Sequence, residues 1–566
     1  MRVITCMAAL TFLAPMALAG TLAGPILDEG ATAELVDIVQ LPASDGSAPL
    51  NRIGMVREVP DGSGRLFAND LRGVLHVIDG VSESTYMDLG LLRPKLVTNS
   101  LAWGFMSFAF HPDFATNGLL YTAHTESIGT IPPNFGPALP APIIAHSIVT
   151  EWQAGDPTSN TFSGTSRELI RVAAPHRFHN LGEIGFDPGL DSADPGFGLL
   201  YIAAGDFGSV FRDDPGQLQR LDTVYGCLLR IDPLGGSFER DSIVYPYATP
   251  ASNPYANDGD PDTFGEIYAH GFRNPQNFHF DRGGNGDLFV TDIGESNLEE
   301  VNIAVAGGNY GWPLREGNMA LDVALNPYSV FPVPAGDDSL GFEYPLTQYD
   351  HAEGNAIAGG LAVRSSIPSL LKDKFIFGDI VNGRIFYSDI AEMLSANDGS
   401  ASTIAVAYEL TLLRDGTPTT LVDEINDALG GASVYRTDLR FSADVSGRLF
   451  VTTKQDGFIR ELVPVPTGAT GAPAARQARV RVEPNPFNPR TVIRFDVMTA
   501  GRVRLDIYDV RGQHIRGLVN EVRAAGEQRV MWDGTDDGGL ASASGVYLYR
   551  LKSGDGVWAG KLSLVR

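Results

Sequence analysis

One local pattern recurs from residue 64 to residue 453: a turn, usually closed by glycine, opens into two or three apolar residues that include an aromatic. The copies are "GRLFAND" (64–70), "GLLYTAH" (118–124), "GLLYIAAGD" (198–206), "GDLFVTD" (286–292), "DKFIFGD" (373–379) and "GRLFVTT" (447–453). Several lead into a second strand pattern, as in "GVLHVID" (73–79), "GRIFYSDI" (383–390) and "GFIRELV" (457–463). Short apolar runs between Gly, Asp, Asn and Pro clusters read as strands and turns. Hairpins of one type, repeated at roughly 55 to 90 residues, predict radial repetition of small antiparallel sheets, an all-β six-bladed β-propeller. A β-sandwich or β-helix is the competing reading. The uneven spacing places long loops between strands, where binding and catalytic residues concentrate.

The 566 residues exceed one compact core and predict at least two domains. Residues 1–19 read as a secretory signal peptide, with Arg2 before an apolar stretch and a small-x-small site at Ala17-Leu18-Ala19. Residues 20–462 form the propeller, 463–478 a Pro/Gly/Ala/Thr-rich linker, and 479–566 a small β-sandwich of five to seven alternating strands. The charge divides the same way. Residues 476–566 carry 15 Lys+Arg against 10 Asp+Glu, whereas residues 20–475 carry 26 against 58. So acidic a main region argues against nucleic acid as partner, because phosphate binding needs clustered cations. No later segment is long and apolar enough for a membrane helix. Once Cys6 leaves with the signal, Cys227 is alone, which excludes an internal disulfide and a thiolate metal site.

No G-x-S-x-G, P-loop or H-E-x-x-H motif is present. What remains is a set of polar residues at strand ends. His179 and Asn180 lie in "APHRFHNLGEIGF", Asp206 ends an apolar run, and Arg273 and Asn274 follow "EIYAHGF", which reads as an inner strand halted by Pro275. Strand ends on one face of a propeller converge on its axis. There a buried Asp fixes the orientation and tautomer of a His, and an Arg stabilises developing negative charge. Such a trio suits proton abstraction from an alcohol coupled to hydride loss. Taken singly, each residue also reads as a turn former, a satisfied core histidine or half of an ion pair. Asp258, Asp260 and Asp262 alternate in "NDGDPDTFGE", either as hard oxygen ligands for Ca²⁺ or as an acidic surface loop.

The collinear run "GFMSFAFHPDFATNGLLYTAHT", "HNLGEIGF", "GLLYIAAGD", "EIYAHGFRNPQ", "GDLFVTDIGESNLEEVNIAVAGGNYGWPLREG" and "KFIFGDIVNGRIF" resembles the soluble PQQ-dependent glucose/aldose sugar dehydrogenases over residues 50–463. The resemblance implies a six-bladed propeller that binds pyrroloquinoline quinone (PQQ) and Ca²⁺ near its axis, oxidises an aldose at its anomeric carbon, and passes electrons to an external acceptor. It places the base on His179, its partner on Asp206, the quinone-facing arginine on Arg273 and an amide on Asn274. It also places a cofactor cation on Arg364 and backbone Ca²⁺ ligands on Gly294 and Glu295. The family's paired arginines on the last blade are out of register here, at Arg436 and Arg440, and a cofactor-contacting Gln is replaced by Ala102. Similar propellers of the hedgehog-interacting type bind without catalysis, so a glycan- or protein-binding propeller is the alternative. In the tail, "PNPFNP", "IYDVRGQHI", "WDGTDDGG" and "SGVYLYRL" resemble type IX sorting or FlgD-like immunoglobulin-like modules. That resemblance implies contact with secretion machinery and a secreted or cell-surface location reached through the periplasm.

Overall fold

The computed structural model describes residues 22–80, 82–136, 142–208, 215–323, 325–364, 369–431, 434–465, 480–497, 501–509, 514–524, 526–553 and 556–566. The expected signal peptide and most of the expected linker lie outside them. The chain divides into two compact units, Met1–Gly468 and Ala469–Arg566.

In the first unit, four four-stranded antiparallel sheets follow one another along the sequence. Their first strands are Ile53–Glu58, Phe105–Phe110, Leu181–Gly185 and Asn277–Phe280. A nine-stranded sheet comes next. It holds a group beginning with Ile357–Ala362 and a group beginning with Arg440–Ala443, fused through Leu27–Gln40. Leu27–Gln40 pairs antiparallel with Phe458–Pro464 and parallel with Tyr408–Arg414. The chain's first described strand therefore stitches its last sheet to the preceding one, which is why separate sheets give way to a single large one at this point. The six first strands touch in a closed ring, each packing on the next. This is a β-propeller, with first strands innermost.

The recurring sequence pattern falls on the second strands, such as Leu66–Asp70, Leu200–Ala204 and Leu288–Asp292. All three are buried at every position, because sheets stacked face to face around a ring bury both sides of a strand. That is why these runs show no apolar–polar alternation. One expectation is corrected. The apolar run at 267–270 is the outermost strand of its sheet, Ile267–His270, not an inner one. Its ladder ends at Gly271, which takes a left-handed φ of 78°. Pro275 lies instead in the crossing to the next innermost strand, Asn277–Phe280. The run reads as inner because Ile267 and Ala269 are fully buried all the same.

The second unit is a β-sandwich of the immunoglobulin-like class. A three-stranded sheet holds Arg481–Glu483, Thr491–Val497 and Gly526–Trp532, and a four-stranded sheet is ordered His514–Arg523, Gly501–Asp509, Gly545–Ser553 and Gly556–Leu564. Phe487, Ile493, Trp532, Tyr547 and Leu562 are among the residues of its core.

Candidate functional site

His179 and Asn180 immediately precede the innermost strand Leu181–Gly185, and Asp206 follows its neighbour Leu200–Ala204. An antiparallel pair brings those two ends together. His179 Nδ1 lies 2.7 Å from Asp206 Oδ1, and Asp206 is 0% exposed. A carboxylate only accepts, so Nδ1–H donates, and in the neutral ring Nε2 keeps its lone pair. The backbone is built for this contact. His179 is held at φ 54° and Phe207 at φ 56°, and the Phe207 N–H donates to the His179 carbonyl at 3.0 Å. Left-handed non-glycine residues cost free energy and concentrate at functional sites. Gly205 is required between them: a Cβ there would come within 2.4 Å of the His179 carbonyl and 2.9 Å of Asn274 Oδ1.

The next crossing joins the same cluster. The Asp206 N–H donates to the Arg273 carbonyl at 2.7 Å. Asp292 Oδ2 accepts from the Arg273 N–H at 2.9 Å and Asp292 Oδ1 from the Asn274 N–H at 2.6 Å. The Arg273 guanidinium donates to the carbonyls of Ile293 (2.9 Å) and Gly294 (2.6 Å), pairs with Glu295, and lies 5.6 Å from the Trp312 ring centre. Burial acts to lower the Arg273 pKa, but the carboxylates of Asp206, Glu295 and Glu316 outweigh it, so the group stays charged. Burial pushes Asp292 up to about 7 against the opposing pull of the two N–H donors and of Arg273. Three buried polar atoms of the cluster have no hydrogen-bond partner among the described residues: Asn180 Nδ2, Asp206 Oδ2 and Arg273 Nε.

The structure thus gathers His179, Asp206, Arg273, Asn274, Gly294 and Glu295, and leaves out Arg364. That arginine follows the far end of its innermost strand and is paired with Asp281 and Asp373. Asp281 itself directly follows Asn277–Phe280, whereas Arg273 and Asn274 precede it. Arg364 therefore sits at the opposite end of the sheets from His179, and its expected cofactor role is corrected. At Gly294 and Glu295, where backbone Ca²⁺ ligands are expected, the Gly294 carbonyl accepts from Arg273 and the Glu295 carboxylate pairs with the same guanidinium. Among the described residues no group of three or more His, Cys, Asp or Glu is placed to hold a metal. Asp258 and Asp260 each accept the N–H two residues on, so the acidic loop satisfies its own backbone.

Two residues of the site escape a reading of the sequence alone. Glu316 Oε1 accepts the N–H groups of Glu295, Ser296, Asn297 and Leu298 at 2.7–3.1 Å and so holds the loop that engages Arg273. Nothing in "PLREG" signals this. Asp292 is different: it ends "GDLFVTD" as Asp206 ends "GLLYIAAGD", so its position was visible although its task was not.

Residues 53–404 match the glucose/sorbosone dehydrogenase family, and residues 494–556 match the FlgD immunoglobulin-like domain. Hedgehog-interacting protein of Homo sapiens is 29% identical over 326 residues, covering 56% of this chain and 40% of that protein. Quinoprotein glucose dehydrogenase B of Acinetobacter calcoaceticus is 27% identical over 227 residues, covering 37% of this chain and 40% of that protein. The chain spans about half or less of the length of the curated relatives it matches here, such as the HIPL2 protein of Arabidopsis thaliana, of which it covers 50%. A solved glucose dehydrogenase superposes over 76% of this chain and 99% of its own length, with a TM-score of 0.51 and 16% identity.

Proposed function

We propose that this chain, which belongs to the glucose/sorbosone dehydrogenase family, oxidises an aldose-type sugar at its anomeric carbon, with His179 as base and Asp206 as the carboxylate that orients it. The observation that carries this reading is the 2.7 Å bond from His179 Nδ1 to a fully buried Asp206 at the mouth of the propeller. His179 Nε2 takes the proton of the sugar hydroxyl, and Asp206 offsets the charge that the ring acquires. Arg273, held charged, sets a positive potential beside the pair.

Hydride removal needs an oxidant, and a PQQ-type quinone supplies that capacity when bound. The fit to such a ligand rests on this chain's own polar atoms. Asn180 Nδ2, Asp206 Oδ2 and Arg273 Nε are buried and unsatisfied within one cluster, which favours a polar ligand there. His179 and Asn274 would border that ligand. Gly294 and Glu295 would offer their backbone carbonyls to Ca²⁺, that of Gly294 already accepting from Arg273, and no step is assigned to the ion. Electrons leave to an external acceptor. Residues 1–19 act as an export signal, and the FlgD-like unit serves secretion or surface assembly, which gives a secreted or cell-surface protein.

A second reading is a propeller that binds glycan or protein without redox chemistry. It is favoured by the Arg273–Gly294 bond, which engages one of the carbonyls expected to face the metal. Reconstitution with PQQ, with and without Ca²⁺, followed by dye reduction over an aldose panel, separates the two. Aldose-dependent reduction is expected. Glycan binding with no reduction at any PQQ concentration would establish the second reading.

A further inference from the structure

Where the innermost strands begin, a cavity of about 10 Å³ lies on the propeller axis, lined by residues including Gly54, Gly182, Glu183, Gln276, Arg440 and Lys454. That is room for one particle of about the size of a water molecule. Two of the lining groups are cations, and both are buried: Arg440 is 6% exposed and Lys454 3%. Buried cations are ordinarily paired with carboxylates. Among the described residues, neither Arg440 nor Lys454 has a carboxylate within 4.0 Å. Arg440 donates to the carbonyl of Leu439 at 2.7 Å and to Gln276 Oε1 at 2.9 Å, and Lys454 Nζ donates to the carbonyl of Leu101 at 3.0 Å. A guanidinium has five N–H donors and an ammonium three, so both keep donors in reserve.

Glu183 also lines the cavity but is committed elsewhere. Its Oε1 accepts from Arg57 at 2.5 Å, and its Oε2 from Asn277 Nδ2 at 3.2 Å and from the Phe278 N–H at 3.0 Å. Its charge is thus matched by Arg57, and the buried carboxylate that acts on both Arg440 and Lys454, Asp438, is itself paired with Arg436, which leaves the two cavity cations in excess. Burial lowers the pKa of both, Arg440 to about 10, and outweighs the attraction of Asp438, while Arg436 opposes the charge of each as well.

We infer that this axial cavity is a binding site for a small monovalent inorganic anion of the halide class, held between Lys454 Nζ and the Arg440 guanidinium. A halide is a single spherical acceptor of several N–H donors, only slightly larger than water, whereas sulfate and phosphate carry five heavy atoms. The site closes the inner ring electrostatically by joining the last innermost strand, which carries Arg440, to those that carry Gly54 and Gly182. It does not depend on the proposed redox role.

The test uses the full chain. Crystals soaked in sodium bromide should show an anomalous peak within about 3.5 Å of both Lys454 Nζ and an Arg440 nitrogen. In solution, chloride or bromide should raise the Tm saturably relative to sodium isethionate at equal ionic strength, because a ligand that binds only the folded state stabilises it. Lys454→Met and Arg440→Met should each abolish the halide-specific rise. No anomalous peak in the cavity would overturn the inference. So would an equal response to isethionate, or an unchanged halide response in variants that fold. The bromide experiment on the unaltered chain decides the matter even where a variant does not fold.

Discussion

At the scale of single residues, the proposed chemistry turns on His179 and the carboxylate beneath it. Both were legible in the sequence, because each stands next to a strand with a plain apolar pattern and antiparallel pairing brings such ends together. What the sequence concealed was geometry that depends on the backbone: the left-handed φ of His179 and Phe207, and the close approach permitted by Gly205. Arg364 shows the opposite failure. Its charge matched an expected role, but its place at the far end of a strand, paired with Asp281, follows from register that alignment of short motifs does not convey. Replacing Asp206 with Asn removes the charge that stabilises a protonated His179 and the restraint on its tautomer. Asp206→Asn should therefore lower kcat for aldose oxidation by about 10²- to 10⁴-fold. Binding of the quinone, followed by its absorbance, should change far less. Equal losses in binding and turnover would point to a structural role for Asp206 instead.

At the scale of elements, the second strand of several sheets ends in an aspartate that holds the segment leading into the first strand of the same sheet. Asp292 accepts the N–H groups of Arg273 and Asn274, and Asp379 Oδ2 those of Asn355 and Ala356. Asp206 occupies the equivalent position but spends its Oδ1 on the imidazole of His179 and on the Gly208 N–H. The repeat thus supplies a loop-holding carboxylate, and one copy of it carries the histidine proposed as base. Burial raises the pKa of Asp292 to about 7 from an ordinary 3.8, so the folded state binds the more protons between those values. Its contribution to stability is complete below about pH 4 and lost as pH rises through about 7. In urea unfolding, the stability of the natural protein minus that of Asp292→Asn should accordingly shrink as pH rises across that window. A pH-independent difference would contradict the assignment. Glu316 belongs to the same scale. Glu316→Ala strips one carboxylate oxygen from four N–H groups, which should cost about 1.5–3 kcal/mol. Amide exchange at residues 295–298 should speed up, while that of the strand Leu288–Asp292 stays slow.

At the scale of the whole molecule, the recurring hairpins revealed an all-β ring and the alternating tail revealed a sandwich, because each rests on periodic burial. The fusion of the last sheets through Leu27–Gln40 was not legible, since pairing between residues some 400 positions apart leaves no local trace. Nor does the sequence show that Arg273 engages the Gly294 carbonyl, which bears on the choice between the proposed sugar oxidation and a propeller that binds glycan or protein. The ring places His179, Asp206 and Arg273 at one mouth, and the family match covers the residues that build it. The most direct measurement is a single-turnover experiment on the PQQ-loaded full chain, mixed with excess aldose and followed by the absorbance of the quinone. The account predicts rapid reduction in the natural protein, and in His179→Ala a loaded quinone that is reduced at least about 100-fold more slowly. Reduction at the same rate in both, or no reduction in either after confirmed loading, would contradict it.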